Sequence, residues 1–302
     1  MNYKITKRIL MFLCLFISID AIFGSICMFI DPTGKILGMD TILSYFKVLP
    51  LSNILFNNYI FSGISLLIVN GITNLISFYY LIKNKKIGII LGTIFGITLM
   101  LWITIQFMIL PNNLLSISFF ILGFIQFIVG YICYVYYMQE HFIFDINKYN
   151  NIGNNNTGLV IYLSRMGYTK KIAYEEANIL GYDIYEIESK ENISGISGFW
   201  WAGRYGMHKW NMPINDIKID LNKYSNIIIV SPIWVFSISA PMREFCYKYK
   251  DNINNVSYIL THFMNTKFEK VADEIDSILN KKRTNFKSIC LRFGNIINIY
   301  EK

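Results

Sequence analysis

Ser164, Gly167 and Thr169 lie in one short polar turn between an uncharged apolar run and an amphipathic stretch. Residues of these types at this spacing can hold a phosphate. Leu159, Val160, Ile161 and Tyr162 carry no charge and favour β structure, which predicts a strand buried on both faces. Gly167 allows the turn a backbone angle that other residues disfavour. Thr169 is placed to cap a helix in which Ile172, Ala173, Ala177 and Leu180 recur at helical spacing until Gly181 closes it. A strand–turn–helix of this kind gathers unpaired N–H groups at a positive helix end, where an anion is stabilised.

The order of these residues resembles the FMN phosphate-loop signature of flavodoxins. Val160, Ile161, Tyr162, Ser164, Gly167, Thr169 and Ala173 fit it. Three positions depart from it. Glu176 stands where an apolar residue is usual, and Met166 and Tyr168 replace the hydroxyl residue or glycine and the asparagine of many electron carriers. The resemblance implies that Ser164, Arg165, Met166, Gly167, Tyr168 and Thr169 surround the phosphate of FMN, with Arg165 adding charge. Pro232, Ile233, Trp234, Val235, Phe236 and Ser237 follow an apolar strand and are similar to the first flavin-ring loop. There Trp234 is the first candidate to stack on the ring and Phe236 the second, against the plainer reading of an aromatic that only covers the sheet edge. His262, Phe263, Met264 and Asn265 correspond to the second flavin loop. Backbone groups there are suited to bonding the ring, whereas a lone His262 is more often structural than catalytic. The resemblance spans Gly158 to Gly294, about half of the 302 residues.

The elements that must position these loops follow from pattern. Strands are expected at Leu159–Leu163, Asp183–Glu188, Asn226–Ser231, Ser257–Thr261 and Phe286–Arg292, and helices at Thr169–Leu180, Ala240–Lys250 and Lys267–Leu279. Strand–helix alternation predicts a parallel sheet covered by helices on both faces. Five strands fit a flavodoxin-like α/β domain, a five-stranded parallel sheet in the order 2-1-3-4-5, with the ligand at the switch point beside strands one and three. The segment Gly198 to Pro213 holds Trp200, Trp201, Trp210, Tyr205, Arg204 and His208 where a short second helix region is usual. It reads as a lid over the flavin, a docking surface for a partner, or a small aromatic subcore.

The first half of the chain is of another kind. Residues 1–144 hold only four acidic residues and are dominated by four apolar runs, about 9–30, 59–82, 87–110 and 114–138. Each is long enough to cross the bilayer as a helix, predicting an α-helical membrane bundle of four spans. The first run is longer than the core of a cleaved signal peptide, and three more follow it. Lys4, Lys7 and Arg8 precede the first run, and Lys83, Lys85 and Lys86 join the second to the third, whereas the Pro111–Asn113 turn is uncharged. The positive-inside rule then predicts a multi-pass protein of the cell membrane with both termini cytoplasmic. Ile42 to Leu51 is amphipathic enough to lie along the surface. Asp20, Asn70, Asn74 and Gln106 are polar residues within spans, better suited to bonds between helices than to an ion path. Gly88, Gly92 and Gly96, four apart, suit close helix packing. The Asn-rich residues 145–157 read as a linker, and 158–302 as the flavodoxin-like domain.

Composition narrows the function. The net charge of +8 is shared equally, with eight basic and four acidic residues before position 145 and 20 and 16 from position 145 onward. The first surplus flanks the spans, so it speaks of topology and not of nucleic acid. Cys14, Cys27, Cys133, Cys246 and Cys290 form no Cys-x-x-Cys pair, the spans hold no histidine for haem, and no nucleophile–base pair supports hydrolysis. Together with the apolar spans, the resemblance implies a membrane-anchored flavodoxin-like protein that binds FMN and transfers electrons, with an unknown redox partner protein or NAD(P)H as its partner. Two alternatives stand beside it: an NAD(P)H-dependent FMN oxidoreductase acting on a quinone or another small acceptor, and an FMN-less membrane adaptor or sensor. The first lacks a Gly-rich dinucleotide fingerprint in this sequence.

Overall fold

The structure, a computed structural model, describes residues 2–111 and 113–301 and divides the chain into two units, Met1–His141 and Phe142–Lys302. Asn112, within the expected turn after the third span, lies outside the described residues, as do Met1 and Lys302 at the ends of the two expected domains.

Among the described residues the first unit contains four helices long and apolar enough to cross a membrane: α1 (Tyr3–Ile30), α2 (Ile60–Ile82), α3 (Lys86–Ile109) and α4 (Leu114–Glu140). The first starts six residues earlier than its apolar run, because the Asn2 side chain accepts the Ile5 N–H at 3.1 Å and caps it. Residues Leu67–Ile72 of α2 are wound as a π-helix, and Ile42–Val48 forms 3-10 turns in the preceding loop. The outward faces are apolar, and the interior mixes apolar side chains such as Leu10, Ile17, Leu81, Ile89 and Leu99 with buried polar ones, Ser18, Asn70, Asn74, Ser77 and Gln126. Gln126 on α4 is its hub, donating to Asn74 Oδ1 at 2.8 Å and to the Gly92 carbonyl at 2.9 Å. Sequence reading singled out Asn70 and Asn74, both buried here, but missed Gln126. Asp20, by contrast, is exposed on the helix surface. Gly96 meets α4 so closely that a Cβ would lie 2.6 Å from the Phe127 nitrogen.

In the second unit β1 (Gly158–Tyr162), α5 (Tyr168–Leu180), β2 (Asp183–Glu186), α6 (Gly195–His208), β3 (Asn226–Trp234), β4 (Ser237–Ile238), α7 (Ala240–Tyr249), β5 (Asn255–His262), α8 (Glu269–Leu279), β6 (Asn285–Arg292) and β7 (Asn295–Glu301) follow in order. The expected five-stranded, wholly parallel sheet is corrected to a mixed sheet of seven strands, ordered β2-β1-β3-β5-β6-β7 with β4 attached to β3. Strands β2, β1, β3, β5 and β6 pair in parallel, and β4 and β7 are antiparallel additions. Both additions are hairpins closed by two-residue turns of left-handed backbone, Val235-Phe236 and Phe293-Gly294. Such turns usually carry asparagine, aspartate or glycine; Val235-Phe236 carries none of these and Phe293-Gly294 only the one glycine, so the two gave little signal in the sequence.

Two cores hold the sheet. Leu159, Ile161, Ile227, Ile229, Tyr258 and Leu260 face α7 and α8 through Met242, Phe245, Val271 and Ile275. Val160, Tyr162, Ile228, Val230 and Ile259 face Ile172, Ala173 and Ala177 of α5. This alternation within uniformly apolar strands is what burial on both faces requires. Residues after His141 also fasten to this unit: Asn151 Nδ2 donates to the Asn178 carbonyl at 2.8 Å and the Asn155 N–H to the Gly181 carbonyl at 2.8 Å.

Candidate functional site

The residues singled out from sequence sit at or just beyond the carboxyl ends of β1, β3 and β5, some in the loops and others, Pro232, Ile233, Trp234 and His262, in the last residues of the strands themselves. From β1 the chain's neighbours diverge, β2 on one side and β3 on the other, which makes this the switch point of the sheet.

The loop after β1 ends at Gly167, at φ +86°, and α5 begins at Tyr168 with no side-chain cap. The first internal bond of the helix runs from the Lys171 N–H to the Gly167 carbonyl at 3.1 Å. The N–H groups of Tyr168, Thr169 and Lys170 thus precede the helical ladder. Ser164 Oγ accepts the Gly167 N–H at 3.1 Å, which closes the turn and leaves the hydroxyl proton to donate elsewhere. Thr169 does not cap the helix as sequence suggested. Its buried hydroxyl lies 2.9 Å from that of Thr261, at the end of β5. Arg165 donates to the Gly195 carbonyl at 3.1 Å and to Met166 Sδ at 3.1 Å, with its guanidinium 5.3 Å from the Phe199 ring centre. Met166 therefore packs beside a cation and supplies no strong donor. The Tyr168 ring stands edge-on to Phe142 at 4.8 Å, and its buried hydroxyl has no hydrogen-bond partner among the described residues. Burial raises its pKa, so it remains a neutral phenol.

The strand-three loop is a tight hairpin. Pro232 is within the parallel ladder opposite Thr261, Ile233 pairs with Ile238, and Trp234 with Ser237. Trp234 packs partly against the core, and Gly206 of α6 lies over its backbone. Val235 and Phe236 form the tip, and Phe236 is 65% exposed. The order of the two aromatic candidates is thus reversed in exposure. Ser237 is buried as an acceptor for Arg243, whose guanidinium also meets Glu274 at 3.0 Å.

In the third loop His262 is buried. Its Nδ1 lies 2.7 Å from the Met264 carbonyl, which must accept, so Nε2 accepts from Ser288 Oγ at 2.8 Å. Burial lowers its pKa and keeps the ring neutral. Both ring nitrogens are thus engaged within the protein. Phe263 and Met264 are exposed, and Asn265 Oδ1 accepts from Asn298 at 3.3 Å and Tyr300 at 3.2 Å, tying the loop to β7.

The three loops therefore place donors at one point and exposed apolar side chains beside it. The donor set is Ser164, the free N–H groups of α5 and the nearby Arg165. A phosphate monoester needs several donors and a positive field, and this set fits one. The exposed Val235, Phe236, Phe263 and Met264 suit the face of a flat apolar ring. Sequence reading missed Thr261, whose signal is a hydroxyl ending an apolar strand, and Phe142, which nothing in the pattern marks.

No protein-family model matches the chain, and no curated protein matches it. Solved structures resemble less than half of the chain. A flavoprotein from Lactobacillus acidophilus NCFM, solved in complex with FMN, is 20% identical over 45% of this chain and 93% of its own, with a TM-score of 0.38. A Bacteroides eggerthii DSM 20697 protein assigned as a flavoprotein is 20% identical over 44% and 86%, with a TM-score of 0.38. The apo-form of the Lactobacillus acidophilus NCFM flavoprotein is 20% identical over 43% and 88%, with a TM-score of 0.34.

Proposed function

We propose that the second unit binds FMN and passes electrons, and that the four apolar helices anchor it in the cell membrane. The observation that carries this reading is the uncapped start of α5 behind Gly167 at the sheet's switch point. When bound, FMN supplies the redox chemistry. Ser164 and the N–H groups of Tyr168, Thr169 and Lys170 would hold its phosphate, and the Val235-Phe236 tip with Phe263 and Met264 would shield the ring from water. A redox partner protein is the expected electron donor or acceptor, because no dinucleotide fingerprint accompanies the site. The basic residues around the first three spans support an orientation with both termini in the cytoplasm.

The test is an absorbance spectrum of the detergent-solubilised chain before and after addition of FMN. Flavin bands with quenched emission are expected, and Phe236→Ala is expected to restore emission more than Trp234→Phe. A chain that stays colourless and leaves FMN emission unchanged would overturn the proposal and favour an adaptor. Steady-state oxidation of NAD(P)H by the flavin-loaded chain would instead favour an oxidoreductase.

A further inference from the structure

Helix α6 is built inside out for a helix in water. Its buried positions are Gly198, Ala202 and Gly206, four residues apart, so the side toward the sheet carries almost no side chain. Phe199, Trp200, Trp201 and Met207 are exposed, Trp200 at 72%, and Trp210 just beyond the helix is exposed as well. Trp200 and Met207 project opposite the small-residue stripe. Burial of such side chains is favourable, so a group of them left in water marks a surface that something covers.

Polar groups around this face are arranged by charge. The Arg204 guanidinium lies 5.9 Å from the Trp201 ring centre and 5.7 Å from that of Trp210. His208 stacks on Trp210 at 4.6 Å, and Arg165 approaches Phe199 from the neighbouring loop. Lys209 follows the helix and meets Glu274 at 2.9 Å. The carboxylate on this side, Glu191, accepts from the Trp201 indole and from the Tyr205 hydroxyl at 2.6 Å, so it is engaged at the edge. Tryptophan and phenylalanine interleaved with arginine are the side chains that settle at the headgroup level of a bilayer, aromatic bodies in the acyl boundary and cations at the phosphates. The chain itself supplies the bilayer: α4 ends at Glu140 and the second unit starts at Phe142, so its tether to the last apolar helix is almost nil.

We propose that α6 is an interfacial membrane helix, seating Phe199, Trp200, Trp201 and Met207 in the headgroup–acyl boundary of an anionic bilayer with Arg204 at the lipid phosphates. The proposal rests on the four helices crossing the membrane and is independent of FMN. The test uses the full chain with Trp102→Phe, since Trp102 lies within α3 and would report the hydrocarbon by itself. It is reconstituted in phosphatidylcholine–phosphatidylglycerol vesicles whose phosphatidylcholine is either unmodified or brominated near the top of its acyl chains. Resistance to alkaline carbonate shows first whether the helices are inserted; a chain that washes off overturns the proposal by removing the tether. In inserted protein, brominated lipid is expected to reduce tryptophan emission relative to unmodified lipid, a comparison that cancels any quenching by flavin. Adding Trp200→Phe and Trp201→Phe, both at exposed positions, is expected to abolish most of that loss. Equal emission in the two lipids, with Trp200 and Trp201 quenched by acrylamide, would overturn the proposal and point to a protein partner. A loss that survives both substitutions would overturn it too.

Discussion

The buried hydroxyls of Thr169 and Thr261 lie 2.9 Å apart and join the first turn of α5 to the end of β5. This bond fixes the loop after β1 against a strand more than 90 residues away, so it tests whether the loop is held in advance of the proposed ligand. Thr261→Val keeps the shape but strands the Thr169 hydroxyl. A buried polar group left unpaired costs about 1–3 kcal/mol. Urea unfolding of the detergent-solubilised chain should show a loss of that size, together with weaker FMN uptake. Thr261→Ser should restore both. Unchanged stability in the valine variant would mean that the bond carries no load.

The hairpin after β3 holds two consecutive residues in left-handed backbone, Val235 at φ +47° and Phe236 at φ +61°. A β-branched residue there is a genuine outlier, and each such residue costs on the order of 1–3 kcal/mol. Asparagine–glycine is the pair this turn prefers. Val235→Asn with Phe236→Gly is therefore expected to raise stability by about 1–2 kcal/mol while weakening flavin binding. A gain in stability with unchanged binding would mean that the tip does not touch the ring.

What the sequence revealed and hid has physical causes. The parallel strands were legible because burial on both faces demands continuous runs such as Leu159–Leu163 and Asn226–Ser231, and the turn between β1 and α5 because glycine stands at its left-handed position. The hairpins β4 and β7 were not, since Val235-Phe236 and Phe293-Gly294 close their turns without asparagine or aspartate. The helix α6 was hidden because its inner stripe is glycine and alanine, so the usual apolar period is inverted. Thr169 was read as a cap from spacing alone. Its partner, Thr261, becomes visible only when the strand order brings β5 beside β3.

His262 gives the fold a pH dependence of known sign. In the unfolded chain its imidazole titrates near about 6.5. Burial lowers that value in the folded protein, so between the two the unfolded chain binds more protons. The neutral ring's contribution to stability is fully present above about pH 6.5 and is lost as pH falls through the window down to the folded value. The urea midpoint of the wild-type chain should therefore fall on acidification. His262→Gln, which retains a donor and an acceptor but cannot titrate, should flatten the fall. An equal slope in the two proteins would place the dependence elsewhere.

The packing of α6 on the strand-three hairpin depends on the absence of a side chain at Gly206. A Cβ there would lie 2.7 Å from the Trp234 carbonyl oxygen and 3.0 Å from the Trp234 Cβ. The obstruction is mostly backbone and cannot rotate aside. Gly206→Ala must therefore push α6 from the hairpin, even though alanine is the better helix former by about 1 kcal/mol. Overpacking typically costs about 1–3 kcal/mol, enough to offset the helical gain. The expected result is a chain no more stable than wild type, with altered Trp234 emission and weaker FMN uptake because the tip moves with Trp234. Gly203→Ala is the control on the same helix, since no atom lies within 4 Å of its would-be Cβ. It should gain the helical propensity without the clash. If Gly206→Ala matched that gain, the close approach of α6 to Trp234 would be wrong.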